Sequence, residues 1–173
     1  MPELPDVEIF RRYFEATALH QQIEAVNKVS AELLQGISEK RLEKNLTSHH
    51  FRSAVRHGKY LFVRVENEGW LVLHFGMSGF LKYFKKKEQV PEHIRLVILF
   101  CNGFLLAYFC KRKLGQIGWT ADLKQFLTEC DLGPDALADG FDEEAFRSLL
   151  QNRRGSIKSL LMNQQALAGI GNI

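Results

Sequence analysis

The chain has 173 residues, of which 46% are hydrophobic, and its formal net charge is +3. Such a chain can bury one core with a small appended helical unit, and it is typical of a globular protein. The slight positive charge permits a polyanionic partner without requiring one. No stretch approaches the roughly 18 uninterrupted apolar residues of a membrane span, and acidic residues near the N-terminus exclude a signal peptide. We therefore expect a soluble intracellular protein.

The cysteines are informative through their number and spacing. They are odd in number and form no C-x-x-C pair, which argues against a disulfide framework and against a zinc site within these residues. We expect reduced thiols, no cofactor in this chain, and a cytoplasmic, nuclear or organellar location. The three residues are Cys101, Cys110 and Cys130.

The N-terminal octapeptide MPELPDVE can carry chemistry. If Met1 is removed, Pro2 presents a secondary amine, and an α-amino pKa of about 7.7–8.0 leaves far more free base at neutral pH than a lysine does. Attack of this amine on an aldehyde-like carbon, such as C1′ of a deoxyribose, forms a cationic iminium, and the adjacent carboxylate of Glu3 can move protons. The alternative is structural, because Pro2 could mark only methionine removal and Pro5-Asp6 could start a helix.

The periodicity of apolar residues predicts one helix followed by many strands. Val7, Phe10, Phe14 and Ala18 recur at helical spacing, which predicts a helix over residues 5–19. Asn67-Glu68-Gly69 and Asn102-Gly103 are hairpin signals. The strand spacing favours a two-layer antiparallel sandwich. Six β-rich runs are predicted as strands: Ser48–Arg56, Lys59–Glu66, Trp70–Phe75, Gly79–Phe84, Ile94–Phe100 and Phe104–Cys110.

The last third of the chain predicts helices and turns. Asp142 and Ser156 are suitable N-caps for helices over 143–150 and 157–163. Residues 169–172 (GIGN) form a predicted tight turn, and we expect a further helix to start where residue 173 stands. The run Lys85-Lys86-Lys87 is interpreted as a solvated hairpin tip.

Seven short strings occur in an order that resembles the formamidopyrimidine-DNA glycosylase and endonuclease VIII family of base-excision repair enzymes. The resemblance spans the chain, and Leu4 favours the formamidopyrimidine branch. It implies an α+β fold in which an N-terminal helix packs on the sandwich (residues 1–120), followed by the start of a helix-two-turns-helix unit (residues 121–173). A zinc finger is expected beyond residue 173. The strings are PELPDVE at the N-terminus, GKYLF at 58–62, HFGMSG at 74–79, KRKLG at 111–115, LGPDAL at 132–137, IKSLLM at 157–162 and GIGNI at 169–173.

The resemblance implies a catalytic group at the N-terminus. Members of the family attack C1′ of a damaged nucleotide with the mature N-terminal proline, release the base and cleave the strand through a Schiff base. Pro2 and Glu3 match the nucleophile and the proton shuttle, and Lys59 matches a lysine near the lesion's phosphate. Taken alone, Lys59 is more typical of a charged hairpin residue.

The resemblance also implies residues that contact double-stranded DNA. His74, which would otherwise be interpreted as a core or edge histidine, matches a DNA contact. Lys158 and Asn172 match positions on the DNA backbone around the lesion, and Arg153 and Arg154 extend that basic face unless they are simply solvated.

Extrusion of a damaged base leaves a hole in the duplex, and three residues resemble the family's void-filling set. Met77, Arg112 and Leu114 lie in polar or glycine-flanked loops, where an apolar wedge and an arginine can replace the missing nucleotide. Three departures affect lesion preference and loop rigidity. Asp6 replaces a glutamate, Cys110-Lys111 replaces Asp-Pro, and Leu114 replaces a phenylalanine.

The sequence therefore predicts the catalytic portion of a monomeric DNA glycosylase with AP-lyase activity, acting on oxidised bases or abasic sites. Three alternatives stay open. The chain could be a non-catalytic DNA-binding paralogue, an inactive catalytic-domain fragment, or a sandwich-fold interaction module with no role on nucleic acid.

Overall fold

The structure, a computed structural model, describes residues 2–66, 69–85, 92–151 and 155–172. Its helices are α1 (Leu4–Thr17), α2 (Glu39–Leu46), α3 (Leu123–Glu129), α4 (Glu143–Leu150) and α5 (Ile157–Met162), with a short 3-10 helix at Ala31–Leu33. Its strands are β1 (Ile23–Val29), β2 (Leu34–Gln35), β3 (Phe51–His57), β4 (Tyr60–Val65), β5 (Gly69–His74), β6 (Gly79–Lys85), β7 (Ile94–Phe100), β8 (Phe104–Cys110) and β9 (Gln116–Thr120).

The strands form two sheets. One has the order β1-β7-β8-β6 and the other the order β2-β9-β5-β4-β3. Neighbouring strands are antiparallel apart from the short parallel pair β2–β9. The predicted α+β fold, with an N-terminal helix on an antiparallel sandwich, is confirmed. Gly103 takes a φ of +80° in the Asn102-Gly103 turn between β7 and β8, as that hairpin signal predicts. Residues 67–68 of the other predicted turn, and Lys86 and Lys87 of the charge run, lie outside the described residues.

Apolar side chains fill the space between the sheets and beneath α1. Phe14 of α1 meets Phe51 of β3 edge-on with ring centroids 5.0 Å apart, and Phe51 lies 6.2 Å from Phe100 of β7. All three are fully buried, and burial of each ring contributes roughly 1.5–3 kcal/mol. A second buried cluster is formed by side chains of β6, β7 and β8, which explains why β7 and β8 lack a polar face. Its members are Phe84, Ile94, Val97, Leu99, Leu105, Ala107 and Phe109.

Helix α1 fixes the start of the chain against this core. Glu3 is its N-cap, and Asp6 Oδ2 accepts a hydrogen bond from the Glu3 backbone N–H at 2.9 Å. Pro5 stands in the first turn, where the missing N–H costs nothing. The helix buries Val7 and Phe14 on one face. The first residues of the chain are therefore held at one end of the sandwich.

The residues after the sandwich return to that same end, where a Cβ on Gly169 would overlap the side chain of Leu4 in α1. The Gly133 N–H donates to the Gln164 carbonyl, and the backbones of residues 134–136 and 168 are joined by two further hydrogen bonds. Helix α4 matches its prediction, and α5 ends one residue earlier than predicted. No helix in the described part of the chain is long and apolar enough to span a membrane.

Candidate active site

A cavity of about 360 Å³ lies where six separate parts of the chain meet. Five of the nine site residues predicted from the sequence line it: Pro2, Lys59, His74, Met77 and Leu114. The other lining residues are Gly58, Tyr60, Gly76, Leu132, Gln164 and Ala168. The structure thus brings the N-terminus, the β3–β4 turn, the end of β5 and the β8–β9 loop to one place.

Glu3 and Lys59 form an ion pair beside this cavity. Lys59 Nζ lies 2.6 Å from Glu3 Oε2, and their side chains are only 10% and 14% exposed for Glu3 and Lys59 respectively. Glu3 reaches this position as the N-cap of α1, whereas Lys59 follows Gly58 in the turn between β3 and β4. Gly58 takes a φ of +55°, and a Cβ there would lie 2.9 Å from the Cβ of Ala168. Only glycine therefore fits this turn, and Lys59 reaches Glu3 from the next position.

Gly171 packs directly against the Glu3–Lys59 pair. A Cβ on this residue would overlap both carboxylate oxygens of Glu3 and the Lys59 ammonium. Gln164 holds the preceding backbone, because its amide nitrogen donates to the Ile170 carbonyl at 2.6 Å and its oxygen accepts from the Gly169 N–H at 2.9 Å. The GIGN turn thus closes the site against the N-terminus.

His74 lies on the cavity wall as a neutral imidazole. Burial and the nearby Lys59 ammonium lower its pKa, and its Nδ1 accepts a hydrogen bond from the Gly76 N–H at 3.3 Å. The ring proton is therefore assigned to Nε2, which is left as a donor. Tyr60 packs on the same ring at 4.8 Å between centroids, and burial raises the pKa of its phenol.

The three predicted void-filling residues lie on two adjacent loops. Met77 and Leu114 are 42% and 55% exposed, so their side chains are accessible to a ligand. Arg112 donates from its guanidinium to Met77 Sδ at 3.4 Å and from its backbone N–H to Ser78 Oγ at 3.3 Å. The loops are packed backbone to backbone, since a Cβ on Gly76 would overlap the Leu114 carbonyl.

Lys158 and Asn172 lie apart from the main cavity. Together they line a second hollow of about 440 Å³ between α5 and the GIGN turn. Gly171 belongs to both places, because it lines this hollow and covers the Glu3–Lys59 pair. Arg153 and Arg154 lie outside the described residues.

Sequence reasoning missed several residues of the site. Tyr60 and Gly171 belong to the strings GKYLF and GIGNI that resemble the family. Only the structure shows that the Tyr60 ring contacts His74 and that Gly171 closely approaches Glu3. Nothing in the sequence marked Gln164 as a site residue, because its partners, the Gly169 N–H and the Ile170 carbonyl, come within reach only in the folded chain. Among the described residues, no group of three or more His, Cys, Asp and Glu side chains is placed to hold a metal ion.

This arrangement can support covalent chemistry at a carbonyl-like carbon. A free Pro2 amine would face a cavity large enough for part of a nucleotide, with a buried carboxylate behind it for proton transfer. Lys59 and His74 supply donors to an anionic ligand. Met77 and Leu114 line the cavity, and Arg112 contacts Met77.

Known proteins resemble this chain in sequence and in fold. The profile of the formamidopyrimidine-DNA glycosylase N-terminal domain matches residues 1–117. A formamidopyrimidine-DNA glycosylase from Pelobacter propionicus is 36% identical over all of this chain, which spans 64% of that relative's length.

Two crystal structures of Lactococcus lactis enzymes align with 99% of the chain. Wild-type Fpg (MutM) in complex with DNA containing N7-benzyl-Fapy-dG gives a TM-score of 0.90 at 29% identity, with 64% of that protein covered. Formamidopyrimidine-DNA glycosylase bound non-covalently to DNA containing an AP site gives 0.90 at 28% identity, with 66% covered. These relatives belong to the branch that Leu4 favours. The sequence profile, the relatives and the fold together show that the chain belongs to the formamidopyrimidine-DNA glycosylase family.

Proposed function

We propose that this chain carries the catalytic site of a base-excision repair DNA glycosylase with AP-lyase activity. The observation that carries the proposal is the cavity in which Pro2 lies beside the buried Glu3–Lys59 pair. A terminal secondary amine next to a carboxylate fits attack on C1′ of a damaged nucleotide. The similar proteins bound to lesion-containing DNA support the same substrate class.

In the proposed reaction, the Pro2 nitrogen forms a bond to C1′ as the C1′–base bond breaks and the damaged base leaves. Bond formation leaves the Pro2 nitrogen as an ammonium, and its proton passes to the Glu3 carboxylate and from there to the ring oxygen O4′, so that the C1′–O4′ bond opens and the iminium forms. The iminium then acts as the electron sink while a proton is removed from C2′ and the 3′ phosphate leaves. A second elimination releases the 5′ phosphate.

The remaining residues bind and shape the DNA. Lys59 and the Nε2–H of His74 lie on the cavity wall, where a phosphate flanking the lesion can approach. Met77 and Leu114 replace the extruded nucleotide in the stack and Arg112 faces the opposite base, which offsets the few kcal/mol that unstacking costs. Lys158 and Asn172 contact the DNA backbone around the lesion.

The proposed partner is double-stranded DNA with oxidised bases or abasic sites, and the proposed location is wherever that DNA is: the bacterial nucleoid, or the nucleus or an organelle. The zinc finger that the family resemblance implies is expected beyond residue 173, and the described residues hold no cluster of three or more His, Cys, Asp and Glu side chains placed to bind a metal ion.

Borohydride trapping tests the proposal directly. While Met1 is attached, the Pro2 nitrogen is an amide and cannot form an iminium. The complete gene product should therefore form a covalent adduct with abasic-site DNA only after Met1 is removed, as checked by intact mass. Pro2→Gly should keep partial trapping, since glycine also supplies a terminal amine.

Two results would contradict the proposal. Equal trapping by the trimmed and untrimmed proteins would make a lysine the nucleophile. Specific binding of lesion DNA by a trimmed protein that never traps would identify a non-catalytic DNA-binding paralogue.

A further inference from the structure

A buried ion pair connects the catalytic turn to the segment after the sandwich. Asp135 and Arg56 have side chains only 6% and 7% exposed. Both guanidinium NH groups of Arg56 donate to the Asp135 carboxylate, Nη2 at 2.9 Å from Oδ1 and Nη1 to Oδ2. The Leu137 N–H donates to Oδ1 at 2.8 Å and the Gly58 N–H donates to Oδ2 at 2.5 Å. The carboxylate thus accepts four hydrogen bonds.

These four hydrogen bonds keep Asp135 ionised and fix the position of its carboxylate. Burial alone would raise its pKa, but the hydrogen bonds from Arg56, Gly58 and Leu137 outweigh burial and lower it. Bidentate pairing with an arginine restricts both side chains to one plane. The carboxylate therefore sets where the Gly58 N–H stands.

The position of Gly58 matters because Lys59 follows it directly. Gly58 takes the left-handed conformation, and the Asp135 bond holds its N–H at the turn. Arg56 also lies 3.5 Å from Glu8 on α1, the helix whose N-cap is Glu3. The Asp135–Arg56 pair consequently contacts both elements that carry the Glu3–Lys59 pair.

We propose that Asp135 is a positioning residue that, through the Gly58 backbone, holds Lys59 against Glu3. The carboxylate touches neither the cavity nor the reacting atoms, and it acts by removing the freedom of the β3–β4 turn. This inference rests on the proposed function for its consequence in catalysis, but the placement of Lys59 can be measured without DNA.

Acylation of lysines in the complete gene product, followed by mass spectrometry, measures that placement. Asp135→Asn removes the charge and one acceptor oxygen, so Lys59 should acylate about 10-fold faster as the turn opens locally. Lys44 is exposed, and its acylation serves as the internal reference for the amount of reagent. Fully buried Cys110 reports global unfolding through its alkylation. Asp142→Asn, at an exposed helix cap, is the matched control and should leave Lys59 unchanged.

Asp135→Asn leaves the buried Arg56 with only Glu8, 3.5 Å away, as a counter-ion, and loss of the closer partner is strongly destabilising, so Asp135→Glu is the second variant. It retains the charge but displaces the carboxylate by one methylene, and it should raise Lys59 acylation by a smaller factor. Unchanged Lys59 reactivity in both variants would overturn the proposal. So would parallel increases at Lys59 and Cys110, because Asp135 would then only hold the fold.

Trapping on abasic-site DNA supplies the catalytic readout. Asp135→Asn should slow single-turnover trapping by about 10-fold to 100-fold with lesion-duplex affinity within about twofold of the unsubstituted protein. In a Lys59→Met background the same substitution should add no further slowing; equal slowing in both backgrounds would overturn the positioning role. Failure of the unsubstituted protein to trap would instead refute the proposed function, while the acylation result would still decide the placement of Lys59.

Discussion

Gly171→Ala is the most economical test of the candidate site, because it adds one methyl group at a defined place. The new Cβ would overlap the two carboxylate oxygens of Glu3 and the Lys59 ammonium. These side chains form a 2.6 Å pair with little access to solvent, so neither can turn outward freely. The methyl group must either separate the pair or move the GIGN turn.

The substitution should have a small effect on stability and a large effect on the rate of base release. Insertion of a methyl group into a packed region costs about 1–3 kcal/mol, which is small against a total stability of about 5–15 kcal/mol. The variant should therefore fold, with a melting temperature lower by about 2–4 °C for each kcal/mol lost. A displaced proton-transfer group forfeits much of its roughly 10²–10⁴-fold contribution to rate. We expect at least a 100-fold loss of base release.

Single-turnover release of an oxidised base from duplex DNA measures the rate, and thermal unfolding measures stability. Gly140→Ala is the control, because a Cβ on Gly140 meets nothing within 4 Å and its φ is not positive. Base release by Gly171→Ala at the unsubstituted rate, with normal folding, would refute the reasoning. It would show that the pair can separate without consequence, or that Gly171 does not cover it in solution.

Further predictions address the roles proposed for Glu3, Arg112 and Leu114, and the stability of the fold in acid. Glu3→Gln should slow base release much more than trapping on a preformed abasic site, which needs no departing base; equal losses in the two assays would indicate a role in folding or DNA binding. Arg112→Ala should weaken lesion-duplex binding and reduce discrimination of the opposite base, whereas Leu114→Phe should keep or increase affinity; competition binding against the four opposite bases checks both. The hydrogen bond from Arg11, opposed by burial and aided by Arg12, lowers the pKa of Glu8 from 4.5 to about 2. A lowered carboxyl pKa stabilises the fold above pH 4.5, and this contribution is lost as the pH falls towards 2. Glu8→Gln should therefore cost about 1–2 kcal/mol at pH 7, after allowance for screening by solvent, and almost nothing near pH 2, as urea unfolding at both pH values would show.

Much of the fold could be predicted because its signals are local. The spacing of Val7, Phe10 and Phe14 identifies α1, and the apolar runs over 94–100 and 104–110 identify β7 and β8 within a residue. The missed elements have weak local signals. Helix α2 contains only two apolar residues, Leu42 and Leu46, and β9 has five residues with a glycine in the middle. Strand β1 buries only Ile23 fully along its seven residues.

The candidate site was predictable only where a residue type already indicates chemistry or where a string resembles the family. Pro2, Glu3 and Lys59 were predicted in this way, and the structure places them close together. Arg56 and Asp135 are separated by 79 residues in the chain, and neither periodicity nor spacing indicates that they pair. Gln164 can be identified as a site residue only from its hydrogen bonds to the Ile170 carbonyl and the Gly169 N–H, which form on folding.

The distribution of these residues along the chain connects stability with chemistry. The cavity walls come from the N-terminus, two turns, a loop and the segment of residues 132–168, so no single hairpin or helix contains the site. Glycines allow the close approaches that join these parts, as Gly58 does against Ala168 and Gly171 against Glu3. Such contacts leave no space for a small shift to be absorbed, because packed interfaces adopt discrete arrangements rather than deforming continuously. A substitution that displaces any one of these parts should therefore change the Glu3–Lys59 geometry before it unfolds the protein.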